Sequence, residues 1–248
     1  MNQSFYIGAV GAQQQQVRMN IEGHNISNIN TYGFKSVYGR FASLMYRNMV
    51  GIDEEQLPAG VGTRVLETPT SFESGALATT DRFQDYAIEG EGFFAVMDPT
   101  TNEITFTRNG AFSLSEFQRP GYEVDENGEP ILETVYLLAD GEGRFVLSRE
   151  GGVIEVTDRR AEQPVGVFDY VNYDGIQHVS STRFSPIEKN GQLRMGTGRV
   201  RQGMLEHSNV DLATEFTRVI ESQRAYGLAL RMVQTSDEIE STINGLRS

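Results

Sequence analysis

Apolar and small residues recur at alternating steps of four and three near the start of the chain. This stripe consists of Phe5, Ala9, Ala12, Gln16, Met19, Gly23 and Ile26. Such spacing is typical of one face of a helix that packs as in a coiled coil. We predict a helix over residues 3–29 that stops near Gly33, a suitable residue for a helix end. Its internal glycines Gly8, Gly11 and Gly23 each cost about 1 kcal/mol against alanine, so the helix needs a closely packed partner.

A second helical pattern occupies the C-terminal end of the chain. Ser208 stands three residues before Asp211, an arrangement typical of a capping box at a helix start. One apolar stripe then comprises Leu212, Phe216, Val219, Tyr226, Leu230 and Val233, and a shifted one comprises Met232, Ile239, Ile243 and Leu246. We predict a long helix that starts at Ser208 and closes at Gly245. The simplest burial for each terminal stripe is against the other, either within a monomer or completed by neighbouring subunits.

The region between the helices alternates short apolar runs with turn signals. The runs lie at residues 86–88, 93–97, 104–107 and 165–168, and the signals are Asp98-Pro99, Arg119-Pro120-Gly121, Asn127-Gly128 and Asn190-Gly191. This punctuation predicts a β domain, and Pro58 to Gly62 is interpreted as a connection or hairpin tip. The predicted fold is a mainly β central domain bracketed by long N- and C-terminal α-helices that pair as a coiled-coil-like layer. We divide the chain into an N-terminal helix and turn (1–45), a linker or extended hairpin (46–70), a β-rich domain (71–205) and a C-terminal helix (206–248).

Composition and charge narrow the possible functions. The formal net charge of −13 argues against nucleic-acid binding, which needs a basic surface. Cysteine is absent, which excludes disulfides and thiolate chemistry. The sequence has no apolar run long enough to span a membrane, so we expect no membrane insertion. Its start lacks the pattern of a cleaved secretory signal, which by itself would predict a cytoplasmic protein.

A search for chemistry assigns no catalytic, cofactor-binding or metal-binding residue. Gly90 to Ala95 matches the form of a dinucleotide-binding loop, but the β-like residues that follow favour a tight turn between strands. The histidines His24, His178 and His207 lie far apart and show no metal-ligand spacing. Acidic pairs are frequent, and two carboxylates on separate elements could serve a glycosidase. A secreted β-rich enzyme acting on cell-wall glycan therefore stays an alternative, as does an adhesin-like binding module.

Five separated segments carry recognisable motifs: NISNINTYGFK at 25–35, DYAIEGEGFFAV at 85–96, TRNGAF at 107–112, GMLEHSNVD at 203–211 and ESQRAY at 221–226. These segments resemble motifs of the bacterial flagellar rod/hook protein family. The residues that carry the resemblance are Asn28, Thr31, Gly33, Phe34, Lys35, Gly90, Gly92, Phe93, Phe94, Ser208, Asn209, Val210, Gln223, Arg224 and Tyr226. In length the chain is similar to the proximal and distal rod types, and residues 45–65 are most similar to the distal type. After Ser113 it departs from the family pattern, because residues 116–122 replace a shorter run.

The resemblance implies a structural rod subunit that assembles into a helical tube and transmits torque from motor to hook. The implied partners are copies of itself, other rod and hook subunits, and the flagellar type III export apparatus, which would place it in the basal body outside the cytoplasm. The resemblance also implies local roles for the motif residues. Those at 28–34 would end the first helix and turn the chain, Gly90 and Gly92 would make a strand turn, and Phe93 and Phe94 would lie partly in the core. Ser208 and Asn209 would cap the second helix, and Tyr226 would pack between the helices.

Overall fold

The computed structural model describes residues 3–43, 47–50, 56–59, 62–124 and 130–246. It separates into two compact units. The helical unit comprises residues 1–27, 36–71 and 210–248, and the β unit comprises residues 28–35 and 72–209. The predicted boundaries place residues 28–35 in the N-terminal helix-and-turn segment (1–45), and that division of the chain stays a prediction.

Two long helices and a series of short strands make up the regular structure. The helices are α1 (Gln3–Ser27) and α2 (Leu212–Gly245). The strands of the helical unit are β1 (Arg40–Ser43), β2 (Arg47–Val50), β3 (Gln56–Ala59) and β4 (Thr63–Glu67). Those of the β unit are β5 (Leu77–Thr79), β6 (Tyr86–Glu89), β7 (Phe94–Met97), β8 (Ile104–Thr107), β9 (Ser113–Val124), β10 (Pro130–Ala139), β11 (Phe145–Val146), β12 (Phe168–Asp169), β13 (Gln177–His178), β14 (Arg183–Ser185), β15 (Arg194–Met195), β16 (Arg199–Gln202) and β17 (Met204–Glu206).

The two terminal helices pack against each other within the helical unit, which confirms the predicted helix pair. They run antiparallel, because Gly8 near the start of α1 meets Val233 late in α2, whereas Glu22 meets Ser222. A side chain on Gly8 would lie 3.0 Å from Val233 Cγ2 and 3.2 Å from the Ala229 carbonyl oxygen. The glycine that weakens α1 as an isolated helix is therefore what lets α2 approach closely.

The contact face of the helix pair is offset from the predicted apolar stripe. In α1 the buried positions are Gly8, Ala12, Glu22 and Asn25, whereas Ala9, Gln16 and Gly23 of the predicted stripe are exposed. In α2 the buried positions are Glu215, Ser222 and Ser236, which continue the four-and-three spacing through half-buried Val219, Tyr226 and Val233. Small residues allow the backbones to approach, so small and polar side chains occupy the contact. Much of the apolar surface of α2 is left outside it.

The β unit is organised around a seven-stranded antiparallel sheet in the order β13-β14-β8-β7-β11-β10-β9. At the central strand β7 the side chains alternate between the two faces. Phe94 and Val96 belong to one buried cluster, with Tyr86 and Phe112, whereas Ala95 and the preceding Phe93 belong to another. Both faces of this strand are thus covered by core side chains.

Several predicted local features need correction. Helix α1 ends at Ser27, so Gly33 lies six residues beyond it. Arg119-Pro120-Gly121 is not a turn but part of β9, where Pro120 faces Leu132 of β10 on the edge strand of the sheet, a position that tolerates the missing N–H of proline. Pro58 likewise lies in β3, opposite Asn48. Asn127-Gly128 lies outside the described residues.

Among the described residues, neither helix has a window apolar enough to cross a membrane.

Candidate functional site

Three of the motif segments meet at a buried ion-pair cluster in the β unit. The cluster consists of Lys35, Arg108 and Glu206, whose side chains are at most 3% exposed. Lys35 and Glu206 lie 171 positions apart along the chain, and Arg108 and Glu206 lie 98 positions apart. We call this cluster the junction.

Lys35 is the member of the junction that comes from the N-terminal motif. Its Nζ donates one hydrogen bond of 2.7 Å to Glu206 Oε1 and another of 2.7 Å to the carbonyl oxygen of Glu73. Burial lowers the pKa of the Lys35 ammonium from its ordinary value, and the adjacent Glu206 carboxylate opposes that shift. The pairing keeps a charged side chain in a place from which water is excluded.

Arg108 and Glu206 complete the network. One nitrogen of the Arg108 guanidinium lies 3.3 Å from Glu206 Oε2, and the other donates a 2.7 Å hydrogen bond to the Gly90 carbonyl oxygen. Glu206 Oε1 also accepts a 2.8 Å hydrogen bond from the backbone N–H of Gly75. The guanidinium carbon stands 5.7 Å from the centre of the Phe93 ring, within the range of a cation–π contact.

Backbone contacts hold the N-terminal motif against the same place. The N–H of Gly33 donates a 2.8 Å hydrogen bond to the Glu206 carbonyl oxygen. Gly33 has a φ of 69°, and an added Cβ would lie 2.3 Å from the backbone nitrogen of Asn109. Only glycine satisfies both the left-handed conformation and this close approach. Gly33 is therefore a docking residue of the β unit and not a stop for α1.

Asn28, Thr31 and Phe34 complete the N-terminal motif. The N–H and hydroxyl of Thr31 donate to the carbonyl and side-chain oxygens of Asn28, at 3.0 and 3.2 Å. These bonds close the turn that follows the helix. Phe34 is completely buried. The predicted role of turning the chain after α1 stays a prediction that this local geometry supports.

The Gly90 and Gly92 motif forms a tight connection between β6 and β7. Both glycines have positive φ angles, 110° and 119°, and a side chain on Gly92 would lie 2.5 Å from Val167 Cγ1. Phe93 and Phe94 follow and are fully buried, where partial burial was expected. Burial on both faces of β7 explains the difference, since consecutive residues of a strand point to opposite sides.

The C-terminal motif requires one correction. The N-cap of α2 is Asp211, whose side chain accepts hydrogen bonds from the N–H of Ala213 and the hydroxyl of Thr214. These bonds lower the pKa of the Asp211 carboxyl from its ordinary value. Ser208 and Asn209 precede the cap and are half-buried, as is Val210, and the Asn209 amide donates a 3.2 Å hydrogen bond to the Glu73 carbonyl oxygen. The predicted capping by Ser208 and Asn209 is wrong, because the N-cap is Asp211, three residues after Ser208, and the helix starts at Leu212.

The last motif lies in the middle of α2. Gln223 and Arg224 are exposed, whereas Tyr226 is half-buried on the stripe that faces α1. The predicted packing of Tyr226 between the helices stays a prediction. Arg224 makes no ion pair with any other described residue.

Sequence reasoning quoted the motifs that contain Arg108 and Glu206 but did not single out either residue. The available signal was that Lys35 and Arg108 are each the one charged residue of their motif, whereas Glu206 shares its motif with Asp211. Pairing the three residues requires the fold. The junction holds three distant segments of the β unit in one register. Among the described residues, no group of three or more acidic or histidine side chains could hold a metal ion.

The fold and the junction define a structural subunit whose terminal helices expose apolar side chains. Three family models match the chain: "Flagella basal body rod protein" at residues 5–35, "Flagellar hook protein FlgE/F/G D1 domain" at 87–156 and "Flagellar basal body rod FlgEFG protein C-terminal" at 201–246. The first and last models contain Lys35 and Glu206, and the middle one contains Arg108. The family descriptions therefore cover all three members of the junction.

Curated relatives extend this similarity to nearly the whole chain. The flagellar basal-body rod protein FlgG of Buchnera aphidicola subsp. Acyrthosiphon pisum is 33% identical over 98% of this chain and 99% of its own length. FlgG of Bacillus subtilis is 28% identical over the full length of both chains, and the flagellar hook-basal body complex protein FlhP of the same organism is 27% identical over the same extent. The chain belongs to the flagellar basal-body rod protein family and is of the FlgG type. It is a structural subunit of the basal body that assembles with other rod and hook subunits.

Proposed function

We propose that the chain polymerises through its helical unit into the helical tube of the distal rod, which transmits torque from motor to hook. It acts there as a structural element without catalytic activity of its own. The flagellar type III export apparatus delivers it to the growing end. Helices that are marginal alone and carry internal glycines suit export as an unfolded chain.

The observation that carries this proposal is the distribution of apolar side chains in the helical unit. Among the described residues, its one buried hydrophobic side chain is Ala12. The large apolar side chains that α2 leaves exposed are Leu212, Phe216, Ile220, Leu228, Leu230, Met232, Ile239 and Ile243. Exposed apolar surface of this extent marks a surface that other protein covers.

The shape of the required contact also supports a tube. A contact between two different surfaces of identical subunits generates a ring when the rotation between subunits closes and an open helical array when it does not. Helix α2 offers such different surfaces, because its exposed apolar residues lie on more than one side of the helix. Ile220 and Leu228 are on one side, and Leu212 and Leu230 are on another.

A strain that lacks the gene tests the proposal when it is complemented with exposed-face variants. The variant I239Q/I243Q replaces two side chains that are 48% and 53% exposed. We expect a folded protein, by circular dichroism, that fails to restore swimming and leaves basal bodies without a complete rod. The matched control is I104Q, an equally apolar and 42% exposed position in the β unit, which should restore swimming. Complete rods and normal swimming with I239Q/I243Q would overturn the proposal.

A further inference from the structure

The contact face of α2 against α1 repeats small and polar residues at steps of seven. The positions at this spacing are Glu215, Ser222, Ala229 and Ser236, of which Ala229 is half-buried and the others are buried. None of the four has a large apolar side chain. Helices that meet at a seven-residue spacing present the same kind of face again when one slides along the other by seven residues. The spacing alone therefore leaves open the register of the pair, that is, which residue of α1 lies opposite which residue of α2.

The glycine contacts of α1 do not remove this ambiguity. A Cβ added at Gly11 would lie 3.9 Å from the Ala229 Cβ, and one added at Gly8 would lie 3.2 Å from the Ala229 carbonyl oxygen. A slide of seven residues moves Ala229 away and brings Ser222 or Ser236 to the same place, depending on its direction. Because serine is also small, the backbones can approach closely in more than one register.

Glu22 is the residue of α1 that distinguishes the registers. It is buried, and its carboxylate oxygens lie 3.1 and 3.0 Å from the donating hydroxyl of Ser222, which is completely buried. Arg18 Nε donates a further 3.0 Å hydrogen bond from the same helix, so that bond does not depend on the position of α2. Losing a donor destabilises a buried carboxylate, and Glu22 therefore favours a register that places a donor of α2 opposite it.

Neither neighbouring register supplies that donor. A slide of seven residues in one direction places Ala229 opposite Glu22, and alanine has no side-chain donor. The opposite slide places Glu215 there. The Oε1 of Glu215 is ion-paired with Arg218, and its buried Oε2 has no hydrogen-bond partner in the described part of the chain. A second acid opposite Glu22 offers no donor and adds repulsion between like charges, so both displaced registers are disfavoured.

We infer that the hydrogen bonds between Glu22 and Ser222 select the register in which α1 and α2 pair. They thereby set the position of the exposed apolar side chains of α2 relative to α1. Buried polar residues are known to fix the register of helix pairs at a cost in stability. Both residues belong to one copy of the chain, so this selection does not depend on the proposed polymerisation.

Engineered disulfides within the purified full chain measure the register, because the chain has no cysteine of its own. The variant G11C/A229C reports the observed register, since its two Cβ atoms would lie 3.9 Å apart, a separation that suits a disulfide. The variant G11C/S236C reports the register displaced by seven residues, in which Ala229 faces Glu22. Equilibration with a glutathione buffer converts the oxidised fraction of each variant into an effective thiol concentration. We expect that concentration to be at least about tenfold higher for G11C/A229C.

Replacing the buried pair in both cysteine backgrounds tests the role of Glu22. The double change E22M/S222A nearly conserves side-chain volume and removes carboxylate and hydroxyl together, while Arg18 keeps Glu221 at 3.7 Å. We expect it to leave the melting temperature unchanged or higher, and to lower the ratio of the two effective concentrations about tenfold. A pair that only added stability would lower the melting temperature and leave the ratio unchanged. E22Q, whose amide oxygen still accepts from Ser222, should keep the ratio within about threefold.

The ratio in E22M/S222A decides the outcome when circular dichroism shows intact helices, and an unchanged ratio would overturn the inference. If E22M/S222A loses helicity, S222A replaces it, because it removes the donor hydroxyl alone. A lower ratio in S222A would support selection by the pair, and an unchanged one would overturn it. Equal oxidation of G11C/A229C and G11C/S236C in the otherwise unchanged chain would also overturn it, since the pair would then select no register.

Discussion

Replacing Lys35 by methionine tests whether the junction holds the β unit together. The methionine side chain retains most of the apolar stem of lysine but removes two hydrogen bonds of 2.7 Å, to Glu206 and to the Glu73 carbonyl oxygen. The Glu206 carboxylate then stays buried with the more distant Arg108, at 3.3 Å, and the N–H of Gly75 as its remaining partners.

The expected loss of folding free energy follows from the burial of the Lys35–Glu206 pair. Removing one member of a buried ion pair costs about 3–5 kcal/mol, because the other charge is left insufficiently compensated. Both side chains of this pair have 0% relative exposure, so solvent cannot replace the lost ammonium. If this reasoning is correct, the double variant K35M/E206Q should be destabilised by less than the sum of the two single variants, since it removes both charges of the Lys35–Glu206 pair and leaves only Arg108 without its ion-pair partner.

Urea unfolding of the purified chain, followed by near-ultraviolet circular dichroism, measures this loss. The signal reports on the aromatic core of the β unit, where Phe93 and Tyr173 are in edge contact. The control is K189M, which breaks a 2.6 Å ion pair between exposed side chains and should cost less than about 1 kcal/mol. A K35M chain that unfolds at the same urea concentration as K189M would refute the reasoning.

Three further predictions concern the motif glycine, the helix cap and the buried acid. G33A should destabilise the β unit and lower its melting temperature, since an added Cβ would lie 2.3 Å from a backbone nitrogen. G227A has open space around the added Cβ in α2 and should raise the melting temperature, because alanine favours the helix more than glycine does. D211A should lower the helicity of the chain and S208A should not, and the effect of D211A should disappear as the pH falls below the lowered pKa of Asp211. E22Q should be tested by melting at several pH values. Because burial raises the pKa of Glu22 above 4.5, the stability gained from its protonated form is fully present below pH 4.5 and is lost as the pH rises through the raised pKa. The melting temperature of the unchanged chain relative to E22Q should therefore fall as the pH rises above 4.5. A difference in melting temperature that stays constant as the pH rises would contradict this reasoning.

The helices could be predicted from spacing, but their contact face could be predicted only in part, since Ala12, Val219, Tyr226 and Val233 are the members of the predicted stripes that lie on it. The four-and-three repeat located both helices, and the family resemblance agreed with them. The contact, however, runs through Gly8, Glu22 and Ser222, one position away from Gly23 and other members of the predicted stripe in α1. A periodicity rule selects the most apolar face. In this chain the closest approach of the backbones selects the smallest side chains instead, and the apolar face is turned outward.

The junction could be predicted even less from sequence. The family resemblance identifies Lys35 as a motif residue but predicts no partner for it. Glu206 lies 171 positions away, and no local sequence pattern relates residues at that separation. The start of α2 could not be predicted from the residue types, because both Ser208 and Asp211 are good N-cap residues. Which of the two residues caps the helix depends on the backbone, which is extended at Asp211 and becomes helical directly after it.

The two units differ in where their stability comes from. Apart from Ala12, every buried hydrophobic side chain among the described residues belongs to the β unit, together with the junction. The helical unit buries Glu22, Glu215, Ser222 and Ser236 and leaves large apolar side chains in water. A folded core in the β unit provides a body that is stable before assembly. If neighbouring copies cover α2 as proposed, the helical unit, whose own contact is small and polar, gains free energy of folding from assembly, and its stability should rise with subunit concentration.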